Sequence, residues 1–144
     1  MSELFLVAEV AGQAIAVASR AVESVVDLGE VTPAPLAARH VLGLATLRSR
    51  IVTVIDTAGT LTGESSSSRP SRAIVSAIDG HHYAFVVDAL DDVAELAAQP
   101  LAAGIALSGA WADAASALVE QGGETALVVD LAALVPGASP GRGN

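Results

Sequence analysis

The side chains able to carry protons near neutrality in this sequence are three histidines, His40, His81 and His82. His81 and His82 are adjacent in a run that reads as a strand. They therefore point to opposite faces and cannot both ligate one metal from regular geometry. His40 stands beside Arg39 in a stretch with the marks of a short helix, and reads as a solvated surface residue. Carboxylates gather at Asp91, Asp92 and Glu95, with Asp92 and Glu95 placed one helical turn apart. Without an oxygen-rich loop around them they read as a solvated acidic face. Cysteine is absent, which removes thiolate nucleophiles, disulfides and Cys-ligated zinc. Lysine is absent too, which removes the Gly-x-x-x-x-Gly-Lys phosphate loop, and there is no Gly-x-Ser-x-Gly elbow. The expectation is a protein with no catalytic residue, no metal and no cofactor. A competing reading is an enzyme in which one of the three histidines pairs with an aspartate. The polar residues that stand out instead are Arg48 and Arg50, two guanidinium groups set between apolar runs.

The elements around these residues belong to a folded domain. The chain has 144 residues, 52% of them hydrophobic and 16% charged, which excludes a disordered polymer. Its net charge is −9, and all its bases are arginine. The short pairs Arg48/Arg50 and Arg69/Arg72 make no basic stripe, so no nucleic-acid partner is expected. The Met1-Ser2-Glu3 start is acidic, unlike a signal peptide. The uncharged run Leu96–Ala112 is broken by Pro100 and two glycines, and falls short of a spanning helix. A cytoplasmic protein without direct membrane insertion is expected.

Strand–glycine–strand units dominate. Leu4–Val10 and Gln13–Ala18 flank Ala11-Gly12, with Phe5, Val7 and Glu9 on one face and Leu6, Ala8 and Val10 on the other. Ala73–Ile78 and His81–Val87 flank Asp79-Gly80, a type I′ hairpin signal. Gly122-Gly123 precedes a third return strand, Thr125–Val129. Three apolar runs end in aspartate, at Asp56, Asp88 and Asp130, and these three are assigned structural roles as strand terminators. Short helices are expected at Ala21–Val26 behind a Ser19 cap, at Pro35–Leu42 with Gly43 as its stop, and at Leu131–Val135. Ala110–Glu120 is ambiguous between helix and strand. The serine-rich stretch 64–72 reads as a mobile loop, and 136–144 as a flexible tail. Many short strands with glycine turns predict an all-β sandwich or barrel. Trp111, the single large aromatic, reads as a packing residue.

The segment from Gly43 to Asp56 resembles the signature of CheW-like chemotaxis coupling proteins, a Gly-Leu-x-Asn-Leu-Arg-Gly stretch followed by a Val-x-Pro-Val-x-Asp-Leu strand. Gly43, Leu44, Leu47, Arg48, Val52, Val54 and Asp56 stand at the matching places. The resemblance extends over about residues 4–135, through the Phe5–Val17 hairpin, Val22–Val26 as a short helix and strand, the Val31-Thr-Pro-Ala-Pro approach, the Asp79-Gly80 hairpin and the closing Val128–Leu134. Thr46, Ser49, Thr53 and Thr57 replace the family's Asn, Gly, Pro and Leu. Ser49 in place of glycine implies a turn that does not require positive φ, and Thr53 restores a backbone donor that proline lacks.

The resemblance implies an all-β fold of two intertwined five-stranded β-barrel subdomains (SH3/OB-like barrels) with short helices, forming one CheW-like domain over 3–135. It implies a non-enzymatic adaptor that couples the cytoplasmic tip of methyl-accepting chemoreceptors to the regulatory domain of a chemotaxis histidine kinase. By position it assigns partner binding to Arg48 and Leu47, supported by Leu44, Gly43 and Arg50. Two alternatives accompany it: a diverged scaffold of a non-flagellar chemosensory system, or a small-ligand-binding β-barrel.

Overall fold

The computed structural model describes residues 2–33, 40–62, 72–101 and 110–135. Four antiparallel hairpins supply eight of the strands: β1 (Ser2–Val10) with β2 (Gln13–Ala18), β4 (Val41–Leu47) with β5 (Arg50–Ile55), β6 (Arg72–Ile78) with β7 (His81–Val87), and β9 (Ala115–Gln121) with β10 (Glu124–Val129). Each hairpin turns on two residues, and all eight turn residues have positive φ, as a type I′ turn matched to strand twist requires. The other two strands, β3 (Ser24–Asp27) and β8 (Ala89–Ala97), stand outside the hairpins.

The strands form two five-stranded sheets, ordered β8-β1-β2-β10-β9 and β3-β6-β7-β5-β4. This order is a swapped duplication. Replacing each strand of β1–β5 by its counterpart in β6–β10 turns one sheet into the other. Each half builds its first hairpin into one sheet and sends its last three strands into the second, so the subdomains are intertwined. The match extends to detail. Both sheets contain one parallel pair, β2 with β10 and β7 with β5. Both carry a register shift at equivalent places, between Val41 and Gly43 and opposite Val128/Val129. The Asp56 N–H donates to the His40 carbonyl at 2.8 Å, as the Asp130 N–H donates to Ala114 at 2.9 Å.

Among the described residues neither sheet closes into a barrel, contrary to expectation. In each, a single bridge joins the two ends: Thr32 exchanges backbone hydrogen bonds with Leu44, and Gln99 with Leu118, all at 2.8 Å. Proline follows both bridging residues, at Pro33 and Pro100, and favours extended backbone at the residue before it.

Alternation along the strands feeds three apolar clusters. The inner face of the second sheet holds Ala45, Val52, Val54, Ala73, Val75, Ala84 and Val86. The inner face of the first holds Phe5, Ala16, Val119 and Ala126. The largest cluster lies between the sheets, where Leu6, Ala8, Val10, Ile15 and Val17 meet Ile55, Ile74, Phe85 and Val87. Both faces of β1 are thus buried, in different clusters, as the predicted division of its residues implies. Trp111 packs against the seam.

Several local expectations are corrected. Ser19–Ala21 is a single 3-10 turn with no side-chain cap, and Val25 and Val26 lie in β3. The i, i+4 spacing came from a 3-10 turn and its C-cap, Ala21 and Val22, followed by the strand residues Val25 and Val26. Residues 34–39 of the expected Pro35–Leu42 helix lie outside the described residues, while Val41, Leu42 and Gly43 belong to β4. Asp91, Asp92 and Glu95 lie on the edge strand β8, so Asp92 and Glu95 occupy opposite faces. Their exposed charges suit an edge that must not recruit another strand. Ala110–Glu120 divides into helix α2 (Ala110–Ala114) and β9, and a helix over Thr57–Thr62, α1, was not anticipated. Leu131–Leu134 forms a 3-10 turn capped by Asp130, which accepts from the Ala132 N–H at 3.1 Å. Of the expected loop at 64–72, residues 64–71 lie outside the described residues and Arg72 begins β6; the tail at 136–144 also lies outside them.

Candidate partner-docking site

Arg48 and Ser49 form the tip of the β4–β5 hairpin, with φ of 51° and 67°. In the other sheet the same two positions are Gly122 and Gly123. The left-handed region costs a non-glycine residue roughly 1–2 kcal/mol, so one copy of a duplicated turn keeps the relaxed pair and the other holds two strained side chains. Strain retained in this way collects at functional positions. The expectation that Ser49 relieves the turn of positive φ is therefore corrected: the geometry persists without the glycine. Ser49→Gly is expected to stabilise the domain by about 0.5–1 kcal/mol, the left-handed penalty less the extra entropy of glycine. A rise of roughly 2 °C in Tm would register it.

The tip overhangs a groove of about 490 Å³ lined by Glu23, Ser24, Val26 and Asp27 on one side and Thr46, Leu47, Arg48 and Arg50 on the other, with Val52 and Val75 beneath. It is the gap through which the sheet fails to close. β3 and β4 are its two end strands, joined at Thr32–Leu44 and apart from there to the tip. The floor is apolar and the rim charged.

Most of those charges are matched. Arg50 Nη1 lies 3.3 Å from Glu23 Oε2 and 2.8 Å from His82 Nε2, and Asp27 accepts from Arg72 Nε at 3.2 Å. Arg48 is exposed and has no ion pair or hydrogen bond among the described residues. The two arginines thus differ: Arg50 is tied into a Glu23–His82 cluster, while Arg48 projects from the turn. Glu23, Asp27 and His82 were not foreseen at the site. The alternation of β7 puts His82 on the face of Ala84 and Val86, but only the long-range β5–β7 register brings it to Arg50.

The other candidates occupy the strand behind the tip. Leu47 is half-buried against the inner cluster. Leu44 is 39% exposed and Ile51 66% exposed, and both lie on the outer face with Thr46 and Thr53. Gly43 is buried with φ 149°, and a Cβ there would fall 2.1 Å from the Thr32 carbonyl oxygen. Thr53 sits in an inner strand, paired with Leu44 and Tyr83, where the ladder has use for the N–H that proline would remove.

The three aspartates make different bonds. Asp56 is buried and accepts from the Gly59 N–H at 3.0 Å, capping α1. Asp88 reaches across the sequence to accept from the Ala11 N–H at 2.7 Å, and so holds the β1–β2 turn. Asp130 caps the last 3-10 turn. Gly59 has no room for a side chain: a Cβ would lie 2.5 Å from Asp56 Oδ2 and 2.6 Å from His40 Nδ1. Gly59→Ala is expected to displace the Asp56 cap and cost about 2 kcal/mol, read as a lower denaturant midpoint with an unchanged m-value.

Of the histidines, His81 is exposed, His82 contacts Arg50 and Glu23 of the groove wall, and the His40 imidazole has its Nδ1 buried without a hydrogen-bond partner among the described residues. Among those residues no three His, Asp or Glu side chains gather as a metal site, and no helix is long and apolar enough to cross a membrane. A second cavity, about 290 Å³, is lined by Arg20, Ser76 and Asp130 among others. Its polar groups are engaged elsewhere: Arg20 with Glu3, Ser76 with the Ala21 carbonyl, and Asp130 with Ala132.

Residues 4–138 match the CheW-like domain family. A search of curated proteins returns no match. Among solved structures, the scaffolding protein TtCheW from Thermoanaerobacter tengcongensis shares the fold, with a TM-score of 0.78 over 93% of this chain and 92% of that one at 22% sequence identity.

Proposed function

Because the chain belongs to the CheW-like family of chemotaxis coupling adaptors, we propose that it joins the cytoplasmic tip of a methyl-accepting chemoreceptor to the regulatory domain of a chemotaxis histidine kinase. The observation that carries the site assignment is the Arg48 guanidinium, unmatched among the described residues and held in a strained turn above an apolar groove. An adaptor works through surfaces rather than a reaction centre, and an apolar patch with a polar rim is the usual form of such a surface. Arginine suits it, since its planar fork makes several directed hydrogen bonds while its stem packs.

In this reading Arg48 and Leu47 make the central contact, Leu44 extends it along the outer face, Gly43 shapes the strand behind it, and Arg50 orders the groove wall through Glu23 and His82. Asp56, Asp88 and Asp130 hold turns. The domain spans 3–135, acts in the cytoplasm, performs no catalysis and needs no cofactor.

The test is titration calorimetry of the full chain against the isolated regulatory domain of the kinase and, separately, against a soluble receptor-tip fragment. Saturable binding to either is expected at micromolar or tighter concentration, the range common to signalling contacts of ordinary size. Heats indistinguishable from dilution with both partners would overturn the proposal.

A further inference from the structure

The groove beneath Arg48 has a feature that a flat contact surface lacks, a free strand edge along one wall. In an antiparallel strand, alternate residues direct their backbone groups to opposite neighbours. Leu44 exchanges its N–H and C=O with Thr32 at 2.8 Å, on the side of β4 away from β5. Two residues further on, Thr46 must aim its N–H and C=O the same way, into the groove, where no strand among the described residues lies opposite. The facing wall is β3, the other end of the same sheet and four residues long. Between these walls the floor is Val26, Val52 and Val75.

Charge specifies the occupant further. Four ionised side chains line the groove: Glu23, Asp27, Arg48 and Arg50. Glu23 is matched by Arg50, and Asp27 by Arg72. Among the described residues Arg48 is the cation left over, at the open end beside Thr46. Its guanidinium complements one carboxylate.

We propose that the groove receives an extended segment of a partner protein, which pairs with β4 through the Thr46 backbone and sets an acidic side chain on Arg48. Such an added strand takes its affinity from main-chain bonds and its specificity from alternate side chains. At about 3.3 Å per residue, four residues match the length of β3. An apolar residue next to the acidic one would face Val52 and Val75. This inference rests on the adaptor reading but adds to it a binding mode and a partner chemistry.

The probe is a pair of blocked hexapeptides of alternating valine and threonine, identical except that one carries a central glutamate and the other glutamine. The expected result with the full chain is slowing of Thr46 amide exchange by about tenfold or more at saturating glutamate peptide, with the glutamine peptide binding roughly fivefold weaker or less. Equal binding of the two peptides would overturn the acidic pairing. An unchanged Thr46 amide would overturn strand addition, and so would a Thr46 amide already slow in the free protein, since the groove would then be filled by the chain itself. A second arm repeats the exchange measurement with the kinase regulatory domain and with the receptor-tip fragment. If either binds while Thr46 stays unprotected in both complexes, the groove inference fails and the adaptor reading stands. If neither binds by calorimetry, the adaptor reading fails and the peptide result alone decides the groove.

Discussion

Gly43→Ala is expected to lower stability by about 3 kcal/mol or more, through two costs that no neighbour can relax cheaply. The first is conformational: at φ 149° the residue lies where L side chains are rarely found. The second is a collision with backbone. A Cβ would sit 2.1 Å from the Thr32 oxygen and 2.8 Å from its carbonyl carbon. Thr32 is the residue whose two hydrogen bonds to Leu44 draw β4 towards the far end of the sheet, so making room for the methyl group means breaking that link. Ala117 provides the internal control. It occupies the same place in the duplicated half, beside the Gln99–Leu118 bridge, and carries its Cβ there. Ala117→Gly should cost only about 0.5–1 kcal/mol, the entropy of a glycine in a strand. Thermal unfolding of both variants decides the matter: Gly43→Ala should drop Tm by roughly 10 °C and Ala117→Gly by about 2 °C. Equal shifts would mean that the two bridges are interchangeable and that Gly43 has no special duty.

That asymmetry shows why some of the structure could be read from the residues and some could not. The turns at Ala11-Gly12, Asp79-Gly80 and Gly122-Gly123 were legible because type I′ geometry leaves a chemical mark, glycine at the second position. The turn at Arg48-Ser49 has the same geometry without the mark, and its backbone is held by the flanking register Leu47↔Arg50. Helix periodicity misled at Ala21–Val26, because a 3-10 turn followed by a short strand can imitate an i, i+4 spacing. β8 was missed for a related reason. As an edge strand it is exposed at Asp91, Asp92, Val93 and Glu95, so an apolar valine shares its outer positions with the acids and its residue types show no clean apolar–polar alternation.

The candidate site was half legible. Gly43, Leu44, Leu47, Arg48 and Arg50 all lie in the one short segment 43–50, so a family resemblance could find them together. Glu23 and Asp27 reach the groove, and His82 reaches Arg50 on its wall, only through the pairings of β3 with β6 and of β5 with β7, and pairing register is not written in any local spacing. The duplication was visible only as an echo of three Asp-ended strands. In the structure Asp56 and Asp130 are true counterparts, following β5 and β10. Asp88 follows β7 and does different work, bonding a turn 77 residues away in sequence. The echo mixed one real symmetry with one coincidence of composition.

Arg48→Glu should weaken partner binding by about a hundredfold, close to 3 kcal/mol, while leaving the fold intact. The stability half of this expectation follows from position. Arg48 is exposed and makes no ion pair or hydrogen bond among the described residues, and glutamate at the same left-handed φ pays a similar backbone penalty. The Tm should therefore move by no more than about 2 °C. The binding half follows from charge. Arg48 is the one groove cation without a partner among the described residues, so reversing it puts like charge against any carboxylate that the wild type attracts, beside Glu23 and Asp27. Arg48→Lys separates the contributions: it keeps the charge but loses the fork, and should recover only part of the affinity. Calorimetry against the kinase regulatory domain and the receptor-tip fragment assigns the residue to one face. Loss with one partner and full binding to the other would say which contact the tip makes. Wild-type affinity for both would remove Arg48 from the interface, whereas a large fall in Tm would make its role structural.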